Sequence, residues 1–457
     1  MLNKAFAQHC PLPIGTGIII PVQKPGKRRG PCGSLRLVVL VTFLRKTLST
    51  IVRSRISRSI DRYLSCSQSG FRPGRSTADI VWTYRWINAI CQKYKRSFHV
   101  LVINMSKAFD SINRSKLLIV LKNIVDEDSL RMIRLLLSET QLLVRIGPKE
   151  SRLFPTNVGT PQGDTLSPIL FIVYLEAALR DLRLEIGCMD NQVMELVYAD
   201  DLDFITEDRK LIEIIMEKAR TIFDKWSHKV NEEKTEITTV ERVPTRIDEK
   251  WQNVRKLGSL LGDSEDITRR KILSTIALKK LQSIWMRKNQ ISTKMRLRLY
   301  DAFVRPVLMH NAGTWGTSEK NMEQLDSFHR GQLRKLLGYS WPKKISNDKL
   351  YRLANCGPIS LNILETRWRL FGHILRMKKE TPCNMAMEEF FGHTEYSKYR
   401  GRPRDCLPGI LTKEYAMIGG RLMDADDLDE IGKRARRRKG WKGLTTRIVK
   451  NMAQAKP

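Results

Sequence analysis

The sequence predicts an α+β fold, and three observations lead to that prediction. Residues 43–64 repeat apolar side chains at intervals of three and four, which indicates an amphipathic helix. Residues 100–103 form a short continuous apolar run, the pattern of a strand covered on both faces. In the stretch MELVYADDLDFI, β-prone residues flank Asp200 and Asp201, which indicates a hairpin with the acidic pair at its tight turn. Helical spacing dominates the chain beyond residue 262.

Size and composition indicate a globular, nucleic-acid-binding protein inside the cell. The 457 residues are 42% hydrophobic and 28% charged, enough for two to four domains with a sizeable core. A net charge of +33 fits a nucleic-acid backbone better than a membrane surface or a ribosome. The eight cysteines are scattered without a CxxC pair, so we expect reduced thiols and a nuclear or cytoplasmic location. No targeting signal and no apolar run of membrane-spanning length occurs, so we expect no membrane partner.

The adjacent carboxylates of Asp200 and Asp201 indicate a cation site. Like charges repel, so such a pair is stable mainly when a cation lies beside it. Mg²⁺ suits the pair because it is commonly held by one or two carboxylates together with substrate phosphates. The alternative is an ordinary exposed acidic turn, and the hairpin alone does not exclude it.

Basic segments near both ends of the chain are candidate nucleic-acid contacts. A strand at residues 17–22 precedes a basic turn at 24–29, and a second basic loop contains Arg72 and Arg75. Towards the C-terminus, cations that could bind phosphates alternate with aromatic rings that could stack on bases. Those candidates are Arg367, Trp368, Arg438 and Trp441. The alternative is a helical thumb whose tryptophans belong to the core. Residues 237–250 are predicted to be a linker.

Five ordered motifs resemble the successive palm motifs of a reverse transcriptase. They are INMSKAFD (103–110), GTPQGDTLSP (159–168), YADD (198–201), VNEEKTE (230–236) and KLGSLLG (256–262). The segments RPVLMHNAGTW, RWRLFGHILRM and GRPR further along resemble the non-LTR (LINE-type) retrotransposon enzymes. A group II intron-type maturase shares YADD and the Gln-Gly loop but fits the later segments less well.

The resemblance implies a right-hand polymerase fold. We expect partial fingers at 1–97, the palm with its antiparallel sheet at 98–245, the palm end and helical thumb at 246–340, and a basic helical C-terminal region at 341–457. The implied reaction is RNA-templated DNA synthesis, so the implied partners are an RNA template, a DNA primer and dNTPs. Two Mg²⁺ ions are expected for the family.

The resemblance also assigns roles to residues. Asp200 and Asp201 are the metal ligands of the hairpin. Phe109 falls where the family places a bulky side chain beneath the sugar, which would exclude a 2′-hydroxyl and disfavours an RNA polymerase. Gln162 and Gly163 fall where the incoming nucleotide is contacted. The alternative for Phe109 is a plain core residue.

Two further positions follow the family pattern less closely. Lys234 resembles the basic residue that could protonate pyrophosphate, although it could equally be a solvated charge. Arg36 matches a triphosphate-binding arginine only weakly, because the surrounding SLRLVVL departs from the usual pattern.

Asn104 stands where the family has its third, first-strand carboxylate. Asparagine offers a neutral oxygen without charge, and Asp110 lies about 20 Å further along if the strand continues at about 3.3 Å per residue. We therefore expect impaired synthesis; the alternative is a catalytically dead nucleic-acid-binding remnant. No endonuclease module is visible in the sequence, so we also expect a fragment of a longer element.

Overall fold

The computed structural model describes residues 16–24, 26–138, 140–187, 192–242, 250–283, 290–393 and 405–454. The predicted GRPR segment and the start of the predicted fingers, residues 1–15, lie outside this part of the chain. The chain forms two compact units. The first contains Met1–Arg75 and His99–Thr238, and the second contains Ser76–Phe98 and Thr239–Pro457. The four-part division into fingers, palm, thumb and C-terminal region stays a prediction.

Strands and helices alternate in the first half of the chain, and helices follow in the second. The strands are β1 Gly17–Gln23, β2 Leu35–Leu40, β3 Phe98–Ser106, β4 Thr140–Ile146, β5 Lys149–Glu150, β6 Phe154–Thr156, β7 Met194–Tyr198, β8 Asp201–Thr206, β9 Lys229–Val230, β10 Glu236–Val240, β11 Arg255–Lys256 and β12 Ser259–Leu260. The helices are α1 Phe43–Tyr63, α2 Thr77–Tyr94, α3 Arg114–Lys122, α4 Glu127–Leu137, α5 Ser167–Ile186, α6 Arg209–Lys225, α7 Asp263–Lys280, α8 Thr293–Phe303, α9 Arg305–Leu308, α10 Glu319–Leu337, α11 Asn347–Ala354, α12 Ile359–Ile374, α13 Pro382–Gly392, α14 Leu407–Ala416, α15 Ala425–Arg436 and α16 Arg438–Gln454.

The predicted α+β class is confirmed, and most predicted elements are present. The predicted helix at 43–64 is α1, which begins after Thr42, whose side chain accepts a hydrogen bond from the Arg45 amide at 3.4 Å. The predicted linker at 237–250 is wrong at its start, because β10 continues to Val240 as a sheet strand. Residues 243–249 of that linker lie outside the described residues. Within the described part of the chain, none of the helices is both long and apolar enough to cross a bilayer.

The first unit contains two sheets. One has the strand order β2-β1-β4-β5, with β6 also paired to β4, and begins with the antiparallel hairpin β1–β2. The other has the order β10-β3-β8-β7, with β9 paired to the end of β3. Because side chains alternate along a strand, one face of this second sheet sends Leu101, Ile103, Leu202 and Phe204 into the main core. Asn104 and Asp201 lie on the opposite face.

The second unit is mainly helical and has aromatic residues at its centre. Trp368 of α12 is fully buried and contacts the rings of Phe371, Tyr415 and Trp441. Gly372 lets α16 come close, since an added Cβ there would lie 2.0 Å from the Trp441 indole nitrogen. The helix α12 therefore packs against α16 through aromatic side chains.

Candidate active site

The acidic pair lies at the tight turn of the β7–β8 hairpin. Tyr198 pairs with Asp201 across the two strands, so Ala199 and Asp200 form a two-residue turn. Ala199 is buried and has a φ of 56°, a left-handed conformation that costs a non-glycine residue energy and is used where function requires it. Asp200 is half-buried and Asp201 is exposed. The predicted hairpin is therefore present with the carboxylates at its tip.

Asn104 lies directly opposite Asp201. The two residues are cross-strand partners in the antiparallel β3–β8 register, and partners in such a ladder have Cα atoms about 4.5–5.5 Å apart. The structure thus brings Asn104 next to the acidic pair. Among the described residues there is no group of three or more Asp, Glu, His or Cys side chains that could hold a metal ion, so Asp110 does not complete the set.

A buried glutamine holds the hairpin turn in place. Gln68 is 1% exposed, and its side-chain oxygen accepts hydrogen bonds from the amides of Gly70 at 2.7 Å and Ala199 at 3.1 Å. The Ser69 amide donates to the Val197 carbonyl at 2.7 Å. Gly70 is needed for this approach, because an added Cβ would lie 2.2 Å from the Ala199 nitrogen. The loop before Phe71 therefore pairs with the end of β7 through an isolated bridge between Gln68 and Val197 and braces the acidic turn.

An ion-pair network fixes the other end of β7. Arg183 on α5 binds Glu195 of β7 at 2.7 Å and the buried Glu176 at 2.8 Å. Burial alone would lower the pKa of Arg183, but the two carboxylates outweigh it and raise that pKa. Ser67 also donates to Glu195, at 3.3 Å. The hairpin is thereby tied to a core helix three residues before Tyr198.

Lys234 is connected to Asn104 through the backbone. The strand β9 pairs with the end of β3, and the Asn231 amide donates to the Asn104 carbonyl at 2.8 Å. A 3-10 turn, Glu232–Lys234, follows, and the Lys234 amide donates to the Asn231 carbonyl at 3.1 Å. Lys234 is exposed. The turn therefore presents the exposed Lys234 side chain three residues beyond Asn231, which contacts Asn104.

Phe109 lies between the loop that contains Gln68 and Phe71 and the main core. Its ring stacks on the fully buried Phe171 with centroids 4.5 Å apart and meets Phe71 edge-on at 6.2 Å. The side chain is half-buried, so one part of the ring packs and another faces solvent. That position is compatible with both readings of Phe109, a core residue and a surface beneath a bound sugar.

The Gln162–Gly163 loop is anchored at two points, Val39 and Phe109. The Gln162 carbonyl accepts from the Val39 amide at 2.6 Å, and the Thr160 amide donates to the Phe109 carbonyl at 3.0 Å. Gly163 has a φ of 129°, and an added Cβ would lie 2.3 Å from the Val39 carbonyl oxygen. Arg36 is exposed on the same strand as Val39. The loop, the strand β2 that carries Arg36, and Phe109 are thus neighbours.

Two further arginines support this loop. Arg45 is buried and donates to the Asp164 carboxylate at 3.1 Å and to the Leu136 carbonyl at 2.8 Å. Arg114 donates to the carbonyls of Thr156 at 2.6 Å, Leu137 at 2.6 Å and Gly159 at 2.9 Å. Burial, and to a lesser degree Arg45, lowers the pKa of Arg114 to about 10. Both guanidinium groups therefore hold backbone in place.

Four of the predicted nucleic-acid contacts are wrong. Trp368, Trp441 and Arg367 are 0%, 4% and 1% exposed, so they cannot stack on bases or reach phosphates. Arg367 forms an ion pair with Glu414 and donates to the Trp315 carbonyl at 2.8 Å. Burial raises the pKa of Glu414, while Arg367 opposes that rise. The alternative, a helical core, is the correct interpretation of these three residues.

Arg72 is the fourth wrongly predicted nucleic-acid contact. Its side chain is 8% exposed and binds Asp61 at 2.8 Å. It also donates to the carbonyls of Ser65 at 2.6 Å and Gln68 at 3.1 Å. These bonds use its donors to shape the loop that carries Gln68, so the residue is structural. Arg75 is half-buried and Arg438 is exposed.

Comparison with known proteins identifies the family. A model of the family described as reverse transcriptase (RNA-dependent DNA polymerase) matches residues 22–282, more than half of the chain. The chain belongs to the reverse transcriptase family. That membership agrees with the right-hand polymerase fold expected from the motifs.

The relatives are enzymes of mobile elements. The chain is 20% identical over 348 residues to the RNA-directed DNA polymerase from mobile element jockey of Drosophila melanogaster, covering 71% of this chain and 38% of that protein. It is 25% identical over 211 residues to the Pol polyprotein from retrotransposable element R2 of Popillia japonica, covering 45% and 29%. The predicted non-LTR resemblance is confirmed. The matches span less than two-fifths of either relative.

Solved telomerase structures show a weaker likeness. Telomerase from Candida albicans, in complex with a TWJ fragment of telomeric RNA, aligns with a TM-score of 0.40 and 12% identity. The alignment covers 81% of this chain and 64% of that one.

Proposed function

We propose that this chain is the reverse transcriptase domain of a non-LTR retrotransposon and that its RNA-templated DNA synthesis is impaired. The observation that carries the proposal is the pairing of Asn104 with Asp201 across the palm sheet. The acidic pair and its supporting loops are in place, while the third position supplies a neutral amide. The deficit is therefore one negative charge at the centre of the site.

The residues present fit a divalent cation only in part. Asp200 and Asp201 provide two carboxylates at one turn, and Asn104 adds a neutral oxygen donor opposite them. Bound Mg²⁺ would lower the pKa of an attacking 3′-hydroxyl and neutralise charge on the leaving pyrophosphate. Two such ions would share two carboxylates here, so we expect weak binding of the second.

The remaining side chains would bind and orient the substrates. Phe109 would lie beneath the sugar of the incoming nucleotide and exclude a 2′-hydroxyl. Gln162 and Gly163 would contact that nucleotide, since their loop is held rigidly against Val39. Arg36 would bind the triphosphate, and Lys234 would donate a proton to pyrophosphate. An RNA template, a DNA primer and dNTPs are the partners in this proposal, which places the chain inside the cell.

Asn104 also favours a second candidate function, a nucleic-acid-binding remnant without catalysis. Removing a ligand that bridges two metal ions would raise the barrier by about 4 kcal/mol, near a thousandfold in rate. A chain with that loss could still bind nucleic acid through its net charge of +33.

Primer extension on an RNA template distinguishes the two. Purified wild-type chain, Asn104→Asp and the double variant Asp200→Asn/Asp201→Asn would be compared with dNTPs and Mg²⁺. We expect Asn104→Asp to extend the primer about a thousandfold faster than wild type, and the double variant to be inactive. Fast synthesis by the wild type would refute the impairment, whereas an inactive Asn104→Asp would support the remnant.

A further inference from the structure

The end of α15 and the outer side of α16 form a strongly basic surface outside the residues that match the family. From Gly432 to Lys450 the sequence contains no acidic residue. Six exposed cations define what we call the C-terminal basic surface: Lys433, Arg436, Arg438, Lys439, Lys442 and Lys450. The inner side of α16 is anchored by Trp441, whose indole donates to the Trp368 carbonyl at 2.8 Å. The surface is therefore presented by a well-packed helix.

The two cations in the first turn of α16 do not serve its stability. A helix N-terminus carries a partial positive charge, so cations in the first turn are unfavourable by about 0.3–1 kcal/mol each. The first turn of α16 contains Arg438 and Lys439 and no acidic residue. Arg376, which donates to the Ala435 carbonyl at 3.1 Å, lies close enough to be repelled by this positive charge. Burial, and then repulsion from Arg438, lower the pKa of Arg376.

Two glycines in α16 are also unfavourable for the stability of the helix. Gly440 and Gly443 are exposed inside α16, where glycine is less favourable than alanine by about 0.5–1 kcal/mol. Neither is required by packing against the residues that the structure describes. An added Cβ at Gly443 would have no heavy atom within 4 Å, and at Gly440 only the Arg437 Cβ at 3.8 Å. The space beside them is open to a partner.

The helical period places glycine among the outward cations. Trp441, Thr445 and Ile448 are buried. At 3.6 residues per turn, Lys439, Gly443 and Lys450 then point to the opposite side, with Lys442 beside them. Glycine at that point lets another molecule approach the helix backbone closely while lysines contact it on either side.

We propose that the C-terminal basic surface binds the phosphate backbone of a nucleic-acid duplex, with Gly440 and Gly443 allowing the backbone to approach. Cations without acidic partners are the residues that phosphates attract. A single strand is normally bound with aromatic stacking as well, and the only aromatic residue between Lys433 and Lys450 is the buried Trp441. The contact would therefore be independent of sequence. It does not rest on catalysis by the palm.

The glycines provide a test in which stability and binding change in opposite directions. Gly440→Ala/Gly443→Ala should raise the melting temperature by about 2–4 °C, because alanine favours the helix. The same variant should bind a 20-base-pair duplex several-fold more weakly in fluorescence anisotropy. Gly331→Ala is the matched control, since Gly331 also lies inside a helix, α10, with no heavy atom within 4 Å of an added Cβ. It should leave binding unchanged.

Acetylation of lysine amines measures binding at the same surface directly, with the full chain in EDTA. Bound duplex should protect Lys439 and Lys442 from acetylation several-fold, while the exposed Lys349 of α11 stays reactive. Asp200→Asn/Asp201→Asn should show the same protection, which separates this surface from the palm. Unchanged labelling of both lysines, or full affinity of the double-alanine variant, would overturn the proposal. Stronger protection by single-stranded RNA of equal length would overturn the duplex assignment.

Discussion

Replacing Asn104 with aspartate should restore cation binding at the palm hairpin. The change adds one negative charge on the residue that pairs with Asp201 across the β3–β8 ladder. It alters neither the size of the side chain nor the backbone, and the Asn104 carbonyl keeps its bond from the Asn231 amide. The effect of the substitution should therefore be electrostatic.

The exposure of the site sets the magnitude. A unit charge about 4 Å from another interacts by about 1 kcal/mol in water and about 4 kcal/mol at an effective dielectric constant of about 20. Asn104 is half-buried and Asp201 is exposed, so the site lies between these limits. A gain of about 2 kcal/mol per unit of cation charge is about 4 kcal/mol for a divalent cation, which corresponds to roughly a thousandfold tighter binding.

Manganese binding provides the assay because Mn²⁺ is paramagnetic and prefers the same oxygen ligands as Mg²⁺. Free Mn²⁺ would be measured by electron paramagnetic resonance at neutral pH, with Mg²⁺ as competitor. Asn113→Asp is the control, since it makes the same chemical change at the N-cap of α3, where aspartate is well tolerated. If Asn104→Asp bound Mn²⁺ within twofold of wild type, the electrostatic account of this site would be wrong.

Three other substitutions test the support of the site and the buried His228. Gln68→Leu should lower the free energy of unfolding by about 1–3 kcal/mol, measured in urea, because two buried amides lose their acceptor; a change below 0.5 kcal/mol would contradict the bracing role. Arg114→Met should cost about 3 kcal/mol, since three carbonyls lose a charged donor; the exposed Arg134 is the control site for the same substitution. Burial lowers the pKa of His228 to about 4 from 6.5. Between pH 4 and pH 6.5 the unfolded chain therefore binds one proton more than the folded chain does. Stability should be full above pH 6.5 and fall by about 3 kcal/mol towards pH 4; His228→Phe should remove that part of the pH dependence in urea titrations at pH 7 and pH 4.5, and an unchanged slope would refute it.

The sequence predicted the acidic hairpin better than its support. The apolar runs around Asp200 and the order of the motifs were sufficient to place Asn104 opposite the acidic pair. Gln68 and Arg114 escaped notice because their partners are backbone amides and carbonyls, which leave no trace in residue type. A partial signal for Gln68 existed, since it is an uncharged polar residue just before a glycine in Ser-Gln-Ser-Gly.

The C-terminal aromatics show a different limit of sequence reasoning. Alternating cations and rings suggested a binding surface, but the helical period turns Arg367, Trp368 and Phe371 inward together. The charge of Arg367 is compensated by Glu414, which lies 47 residues further along the chain. A buried ion pair of this kind joins residues without any local pattern, so the sequence alone could not separate a buried arginine from an exposed one.

The support of the hairpin bears on the impairment that we propose for this site. Gln68 and Gly70 hold the strained Ala199 turn, Arg183 fixes β7 through Glu195, and none of these contacts involves the side chain of Asn104. A change that had disturbed the fold would have affected these bonds, because strained turns persist only where their surroundings fix them. The geometry of the site and its charge are therefore separable here, and a single substitution at Asn104 is sufficient to test whether charge is all that the site lacks.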